Sequence, residues 1–249
     1  MNLLLQPLRV LWKAWLFIVF ALSMVVSYPL FAFLLRKQSR FYRAFHLMRL
    51  WSLTLTAFCG IFVRVKKEAS LPDGPFIICP NHGSYLDIIT MYRVFSRYFL
   101  FMGKVEILNW PLFHIFFSSG MNIAVHRQSK REAHRALLKV RDEVKKGHNI
   151  VIFPEGTIPP TAPKMRAFKN GAFRLSLEEN IPIVPVTFLN NWRRLEAGPV
   201  LKNLGGPGFS DVIIHAPVFP SEYAEKGEVQ YKLDIFETIE KPLRERYGY

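Results

Sequence analysis

Residues 76–87 read Phe76-Ile77-Ile78-Cys79-Pro80-Asn81-His82-Gly83-Ser84-Tyr85-Leu86-Asp87, an apolar run that ends in a polar turn. The run at 76–79 predicts a buried strand, because it is short, apolar and bounded by turn residues. A second such run, Ile150-Val151-Ile152-Phe153, is followed by Pro154-Glu155-Gly156-Thr157. Open α/β folds place their ligands at the carboxyl ends of their strands, so we expect these two polar segments to form one site.

Around these segments, strand and helix patterns alternate from Phe62 onward. We predict strands at 62–65, 75–79, 98–102, 121–125, 149–153, 183–188 and 211–217, and helices at 84–95, 106–118, 129–146, 167–179 and 231–246. A chain of 249 residues suits one α/β domain with an added N-terminal element. The predicted class is α/β, with a mixed, largely parallel sheet flanked by helices and an N-terminal membrane-associated helical segment or two-helix hairpin.

The N-terminal quarter of the chain combines positive charge with apolar length. Residues 1–67 contain ten basic residues and no acid, and so carry most of the formal net charge of +14. The run 14–35 has no charged side chain, and a bilayer core needs about 20 such residues in a helix. A second apolar run, 50–63, is short for another crossing. Two topologies follow: 14–35 crosses the membrane once, or both runs form a hairpin in one leaflet.

The basic residues next to the first apolar run indicate which side of the membrane the remainder occupies. They are Arg36, Lys37, Arg40 and Arg43. Their position favours a cytoplasmic location for the chain that follows, and they match an anionic membrane surface. We therefore predict a membrane-anchoring helical segment at 1–61 and an α/β domain at 62–249, on the cytoplasmic side of the cytoplasmic or inner membrane.

His82 and Asp87 have the residue types of a general base and the carboxylate that orients it. Five positions on a continuous helix would turn them about 140° apart. They meet only if His82 lies on the turn after the strand and Asp87 lies in the first turn of the next helix. The carboxylate then fixes the tautomer of the ring, and the other ring nitrogen can remove a proton from a hydroxyl. By itself this spacing is more often that of a polar turn capped by Asn81 and Asp87.

Two sequence blocks together resemble the glycerolipid acyltransferases, most closely the PlsC-type 1-acylglycerol-3-phosphate acyltransferases. Asn81-His82 with Asp87 is similar to the first block of that family, and Phe153-Pro154-Glu155-Gly156-Thr157 is similar to the third. Residues 103–104 and 120–127 resemble the second block, and 183–186 the fourth. The resemblance covers roughly residues 62–220.

The resemblance implies a role for each matching residue. His82 would be the general base that activates an acceptor hydroxyl to attack an acyl thioester, and Asp87 would orient it. Residues Glu155, Gly156 and Thr157 would bind the acceptor. For the acceptor phosphate, the candidates are Lys104 and Arg127, since Lys provides a mobile point charge and Arg a bidentate fork.

One departure from the family pattern leaves two possibilities for the acceptor lipid. An arginine commonly follows the third-block threonine in the family, and this chain has Ile158 there. Either a nearby cation replaces that arginine, the candidates being Lys164, Arg166 and Lys169, or the acceptor is not a phosphate. Relatives of this type also acylate the hydroxyl of N-acylated amino-acid lipids, which is the alternative acceptor.

The sequence identifies the acyl donor and other partners less specifically than the catalytic residues. The resemblance implies no cofactor; the co-substrate is an acyl-CoA or an acyl carrier protein. Arg131, Arg135 and Lys139 recur every four residues on helix 129–146, and this basic ridge, or 145–146, is a candidate dock for an acidic carrier protein or a membrane surface.

Two other functions, nucleic-acid binding and lipid binding without catalysis, and a possible metal site are compared with an acyltransferase. A nucleic-acid partner is disfavoured, because the basic excess lies beside the apolar anchor. No metal site is predicted, because the histidines and the two cysteines have no ligand spacing. The non-enzyme alternative is a membrane-bound lipid-binding protein of the same fold, which would have no need of His82 as a base.

Overall fold

A computed structural model describes residues 5–125, 130–199 and 201–249. Its helices are α1 (Gln6–Leu34), α2 (Phe41–Phe58), α3 (Leu86–Val94), α4 (His114–Ser118), α5 (Lys130–Lys145), α6 (Gly171–Glu179), α7 (Asn191–Arg194) and α8 (Gly227–Tyr247). Its strands are β1 (Ile61–Lys67), β2 (Ile77–Pro80), β3 (Phe99–Lys104), β4 (Ile123–Val125), β5 (Asn149–Val151), β6 (Ile183–Phe188) and β7 (Gly208–Ile214).

The seven strands form one sheet in the order β1-β7-β6-β2-β5-β3-β4. All neighbouring pairs are parallel except β6 and β7, which are antiparallel. The central strand β2 is buried along its whole length, as expected for a parallel strand that is covered on both faces. The predicted class, a mixed and largely parallel sheet flanked by helices, is confirmed.

Two helical layers cover the sheet. Helix α2 packs on both α1 and α3, and the Ser52 hydroxyl of α2 donates to the Ile89 carbonyl of α3 at 2.7 Å. Helices α5, α6 and α8 pack on one another, and the Ser176 and Tyr231 hydroxyls lie 2.8 Å apart between α6 and α8. The catalytic turns described below lie between these layers, at one edge of the sheet.

Helices α1 and α2 form an antiparallel hairpin. The Trp51 indole of α2 donates to the Ser23 hydroxyl of α1 at 3.0 Å, and the Trp12 indole donates to the Cys59 carbonyl at 3.0 Å. An 18-residue window of α1 has a mean hydropathy of 2.3, so this helix is long and apolar enough to cross a membrane, which by itself is weak evidence. The apolar run 50–63 is not one helix: it divides between α2 and β1 at Gly60, whose φ is +66°. The division into 1–61 and 62–249 stays a prediction.

The prediction of one continuous helix at 106–118 is wrong. The segment 106–118 consists of a short 3-10 helix, Val105–Asn109, and the single turn of α4. Pro111 is the physical reason, because a proline disfavours the helical conformation of the residue before it, and Trp110 is extended. The other predicted elements are present, with bounds that differ by a few residues.

Candidate active site

The turn after β2 brings His82 and Asp87 together as their spacing predicts. His82 lies before α3, and Asp87 lies in the first turn of α3. The Ser84 hydroxyl accepts a hydrogen bond from the Leu86 N–H at 3.1 Å and donates to the Leu195 carbonyl at 2.6 Å. Ser84 therefore caps the start of α3 and fixes the turn to the segment that follows α7.

The Asp87 carboxylate is fully buried and accepts four hydrogen bonds. Its Oδ2 lies 3.0 Å from His82 Nδ1 and accepts from the N–H groups of Gly83 and Ser84, both at 2.8 Å. Its Oδ1 accepts from the Asn191 amide at 2.9 Å. The N–H groups of Gly83 and Ser84 thus hold the carboxylate, and donors to an oxyanion must come from another part of the site.

The imidazole of His82 is held on its face and at one nitrogen. Its ring stacks on Phe153 with ring centroids 4.1 Å apart. The bond from Nδ1 to a buried carboxylate places the ring proton on Nδ1 and leaves the lone pair on Nε2. The side chain retains 12% of its accessible surface, so a substrate can reach it. The arrangement can therefore remove a proton from a bound hydroxyl.

Glu155 supports His82 from the turn after β5. Its Oε1 accepts from the His82 N–H at 2.8 Å, and its Oε2 accepts from the Arg166 N–H at 2.9 Å. The side chain is 3% exposed, and this burial raises the pKa of Glu155 to about 7, against the lowering effect of the two backbone hydrogen bonds. Both oxygens are thus occupied in positioning two backbone segments, a role that the sequence analysis missed.

Gly156 and Thr157 complete the same turn. Gly156 has φ +75°, a conformation that favours glycine, and its N–H donates to the Phe153 carbonyl at 3.0 Å. A Cβ on Gly156 would lie 3.0 Å from Lys169 Nζ. The Lys169 N–H also donates to the Pro154 carbonyl at 2.9 Å. Two of the three proposed replacement cations therefore lie against the third-block turn: Arg166 bonds Glu155 through its backbone N–H, and the Lys169 side chain lies beside Gly156.

The structure describes one of the two cations that were predicted to bind the acceptor phosphate. Lys104 is exposed at the carboxyl end of β3, two strands away from β2, at the same edge of the sheet as His82. Arg127 lies outside the described residues. The predicted roles of Lys104, Arg127, Glu155, Gly156 and Thr157 in acceptor binding stay predictions.

Two asparagines belong to the site although the sequence analysis gave them no functional role. The side chain of Asn81 donates to the Phe188 carbonyl at 3.1 Å and accepts from the Phe188 N–H at 2.7 Å, which extends the pairing of β2 and β6. Asn191 bonds both Asp87 and, at 3.0 Å, the Thr90 hydroxyl. The only signal for Asn191 was its place just after the apolar run 183–188, since strand ends at this edge carry the polar residues.

A separate cavity of about 330 Å³ has no part in this chemistry. It is lined by residues such as Tyr42, Tyr98 and Asn149, at the amino ends of β3 and β5. The proposed base lies at the opposite, carboxyl edge. Within the described ranges, no group of three or more His, Cys, Asp and Glu side chains is arranged to hold a metal ion.

Comparison with known proteins identifies the family to which this geometry belongs. A model of the acyltransferase family matches residues 62–189, which is just over half of the chain. The chain belongs to the acyltransferase family. The matched segment of this acyltransferase begins in β1, ends just after β6, and contains both polar turns. The resemblance read from the two sequence blocks is thereby confirmed.

Named relatives of this acyltransferase act on lysophosphatidate. It is 27% identical over 90% of its length to a 1-acyl-sn-glycerol-3-phosphate acyltransferase of Chlamydomonas reinhardtii, and it spans 68% of that protein. It is 28% identical over 82% of its length to a chloroplastic enzyme of the same name from Brassica napus, of which it spans 58%. A crystal structure of the lysophosphatidate acyltransferase PlsC from Thermotoga maritima superposes with a TM-score of 0.77 over 97% of both chains at 20% identity, which shows a shared fold.

Proposed function

We propose that this protein transfers a fatty acyl group from an acyl thioester to the free hydroxyl of 1-acylglycerol-3-phosphate, forming phosphatidate. One observation carries the proposal: a solvent-accessible His82 bonded through Nδ1 to a fully buried Asp87 at the carboxyl edge of the sheet. The names of the relatives support the acceptor. No cofactor enters the reaction, and the thioester is a co-substrate.

The reaction begins at the second ring nitrogen of His82. Nε2 removes the proton of the acceptor hydroxyl as its oxygen attacks the thioester carbonyl carbon. The tetrahedral oxyanion then collapses, the C–S bond breaks, and the imidazolium returns the proton to the departing thiolate. Asp87 stabilises the imidazolium throughout, because its carboxylate stays bonded to Nδ1.

The acceptor carries a phosphate in this proposal, although Ile158 replaces the family's usual arginine. Lys169 supports that choice, since its ammonium lies beside Gly156 in the same turn. Lys104 and Arg127 are further candidates for the phosphate. The alternative acceptor, an N-acylated amino-acid lipid, rests on Ile158 alone.

The donor is an acyl-CoA or an acyl carrier protein. The basic ridge on α5 is the proposed dock for an acidic carrier. Arg131, Arg135 and Lys139 are all exposed, and Arg135 pairs with Glu132 on the same helix at 2.6 Å. The ridge belongs to the helical layer opposite α1 and α2, which favours a protein partner over the membrane surface.

The hairpin of α1 and α2 is the proposed membrane anchor. Large apolar side chains are exposed along one stripe of α1, at Leu8, Leu11, Trp15, Ile18, Leu22, Val25, Val26, Leu30 and Phe33. Exposed apolar residues of α2 and β1 continue the same kind of surface, at Leu50, Leu53, Phe58 and Phe62. Contiguous apolar surface of this extent marks a membrane interaction site. The catalytic domain would face the cytoplasm.

The decisive experiment combines a substrate panel with one variant. Purified protein is incubated with acyl-CoA or acyl carrier protein and a panel that includes lysophosphatidate and an N-acylated amino acid, and products are identified by mass spectrometry. We expect phosphatidate from the wild type and a loss of at least about 10²-fold in rate for His82→Ala, with folding and membrane binding retained. Full activity of His82→Ala would overturn the mechanism, and acylation of only the amino-acid lipid would overturn the acceptor.

A further inference from the structure

A second cationic pocket lies outside the proposed catalytic residues. It has a volume of about 130 Å³ and is lined by Arg9, Arg193, Arg194 and the segment 204–206. This volume equals that of roughly four water molecules, enough for a phosphate group. Arg9 comes from the first turns of α1, and the other two arginines come from α7. The pocket therefore joins the anchor to the catalytic domain.

The arginines of this pocket have no ion-pair partner in the part of the chain that the structure describes. Among the same residues, the Nε of Arg194 is buried without a hydrogen-bond partner. The nearby Asp211 is already paired with Arg64 at 2.6 Å and Arg246 at 3.0 Å. The three arginines that line the pocket favour an anion, and the guanidinium fork of Arg matches the geometry of a phosphate.

Apolar side chains surround the pocket on the side of α1. Leu8 precedes Arg9 and is 62% exposed, and Leu201, whose carbonyl accepts from the Gln6 amide, is 69% exposed. The pocket thus opens at one end of the exposed apolar stripe of α1. Arginines at the edge of a lipid-facing surface lie at the depth of phospholipid headgroups.

We propose that the pocket formed by Arg9, Arg193 and Arg194 binds the phosphate of an anionic phospholipid of the surrounding bilayer. The residues of this pocket differ from those proposed for the acceptor, and α7 links the two, because Asn191 contacts Asp87 while Arg193 and Arg194 line the pocket. A lipid bound there would hold α7, and with it the carboxylate that orients His82, at the membrane surface.

The test uses the full chain in a neutral detergent, where no charged bilayer attracts the protein as a whole. Phosphatidylglycerol is titrated, and bound lipid is counted by native mass spectrometry. We expect wild type to retain one lipid, and Arg9→Gln/Arg193→Gln to weaken its binding about tenfold. The matched control is Arg36→Gln/Lys37→Gln, which removes two charges between α1 and α2 and is expected to bind lipid as wild type does. Phosphatidylcholine is titrated as the zwitterionic comparison.

Each contrary result overturns the proposal. If both double variants bound phosphatidylglycerol equally weakly, the lipid would be attracted by the overall charge of the protein and not by the pocket. If wild type retained phosphatidylcholine as well as phosphatidylglycerol, the net charge of the lipid would not matter for binding. The KM values for acyl-CoA and lysophosphatidate are measured in the same detergent and are expected to be unchanged in Arg9→Gln/Arg193→Gln. An increase in either KM with lipid binding intact would assign the pocket to a substrate. Lipid binding needs no turnover, so this test does not depend on the proposed reaction.

Discussion

Glu155 is a carboxylic acid of the site whose ionisation is opposed by burial. Burial raises the pKa of Glu155 from 4.5 to about 7. The folded protein therefore binds this proton more tightly than the unfolded chain does, and the free energy of unfolding falls as pH rises from about 4.5 to about 7. The difference in pKa corresponds to about 3 kcal/mol.

Glu155→Gln isolates this contribution, because glutamine has the same shape and no titration. We expect the Tm of wild type to fall relative to that of Glu155→Gln as the pH is raised from 5 to 8, measured by thermal unfolding in detergent. Activity of the variant should also fall, since a side-chain NH2 would then face the N–H of His82 or Arg166. A Tm difference that is constant with pH would contradict the raised pKa.

Lys169 makes a separate prediction about acceptor recognition. Its ammonium lies against the third-block turn. A charge-assisted hydrogen bond contributes about 1.5–3 kcal/mol, so Lys169→Ala should raise the KM for lysophosphatidate about tenfold or more. The KM for monoacylglycerol, which lacks the phosphate, should not change. Lys164→Ala removes an exposed cation of the same loop and serves as the control. Equal effects on the two acceptors would exclude phosphate recognition by Lys169.

At the scale of an element, the turn after β5 depends on Gly156. An alanine there would adopt φ +75°, at a cost of about 1–2 kcal/mol, and its Cβ would meet the Lys169 side chain. We expect Gly156→Ala to lower the Tm by roughly 2–8 °C and to raise the KM for lysophosphatidate. Gly171→Ala is the matched control, since no atom lies within 4 Å of its added Cβ at the start of α6. A Tm for Gly156→Ala equal to that of the control would show that the turn tolerates a side chain.

The helices and strands could be predicted from the sequence where neighbouring residues alone determine them. Apolar runs located the strands, and the two strand ends located His82 and Glu155, because parallel strands end at one edge of a sheet. The contacts of Glu155 with His82 and of Asn191 with Asp87 join residues 73 and 104 positions apart, and no local pattern encodes them. The predicted helix 106–118 ran through Pro111, and the restriction that a proline places on the residue before it was not taken into account.

At the scale of the whole molecule, the proposed membrane anchor would act mainly through the burial of apolar side chains. Fully burying one large apolar side chain contributes about 1.5–3 kcal/mol, and the stripe on α1 alone exposes nine of them in part. A basic residue near an anionic surface contributes about 1 kcal/mol. In the proposed arrangement the hairpin would hold the protein on the bilayer, and the pocket of Arg9, Arg193 and Arg194 would select an anionic lipid.

The contacts of α1 with the α/β domain favour the proposed hairpin in one leaflet over a crossing helix. Lys13 donates to the Asn203 carbonyl at 2.6 Å, and Phe31 packs on Phe116 with ring centroids 5.0 Å apart. These two contacts are about 27 Å apart along α1, nearly the thickness of a hydrocarbon core. A crossing α1 would therefore carry catalytic-domain residues into the bilayer.

The hairpin topology predicts that both ends of the chain lie on the same side of the membrane. Single cysteines are introduced by Leu5→Cys or Tyr249→Cys into a background in which the two buried cysteines, Cys59 and Cys79, are replaced. A membrane-impermeant maleimide should label both variants from the cytoplasmic side only, in inside-out vesicles and not in intact spheroplasts. A crossing helix would give the opposite patterns for the two positions, with Leu5→Cys labelled in spheroplasts. Detergent-solubilised protein should label fully at both positions, because both side chains are exposed.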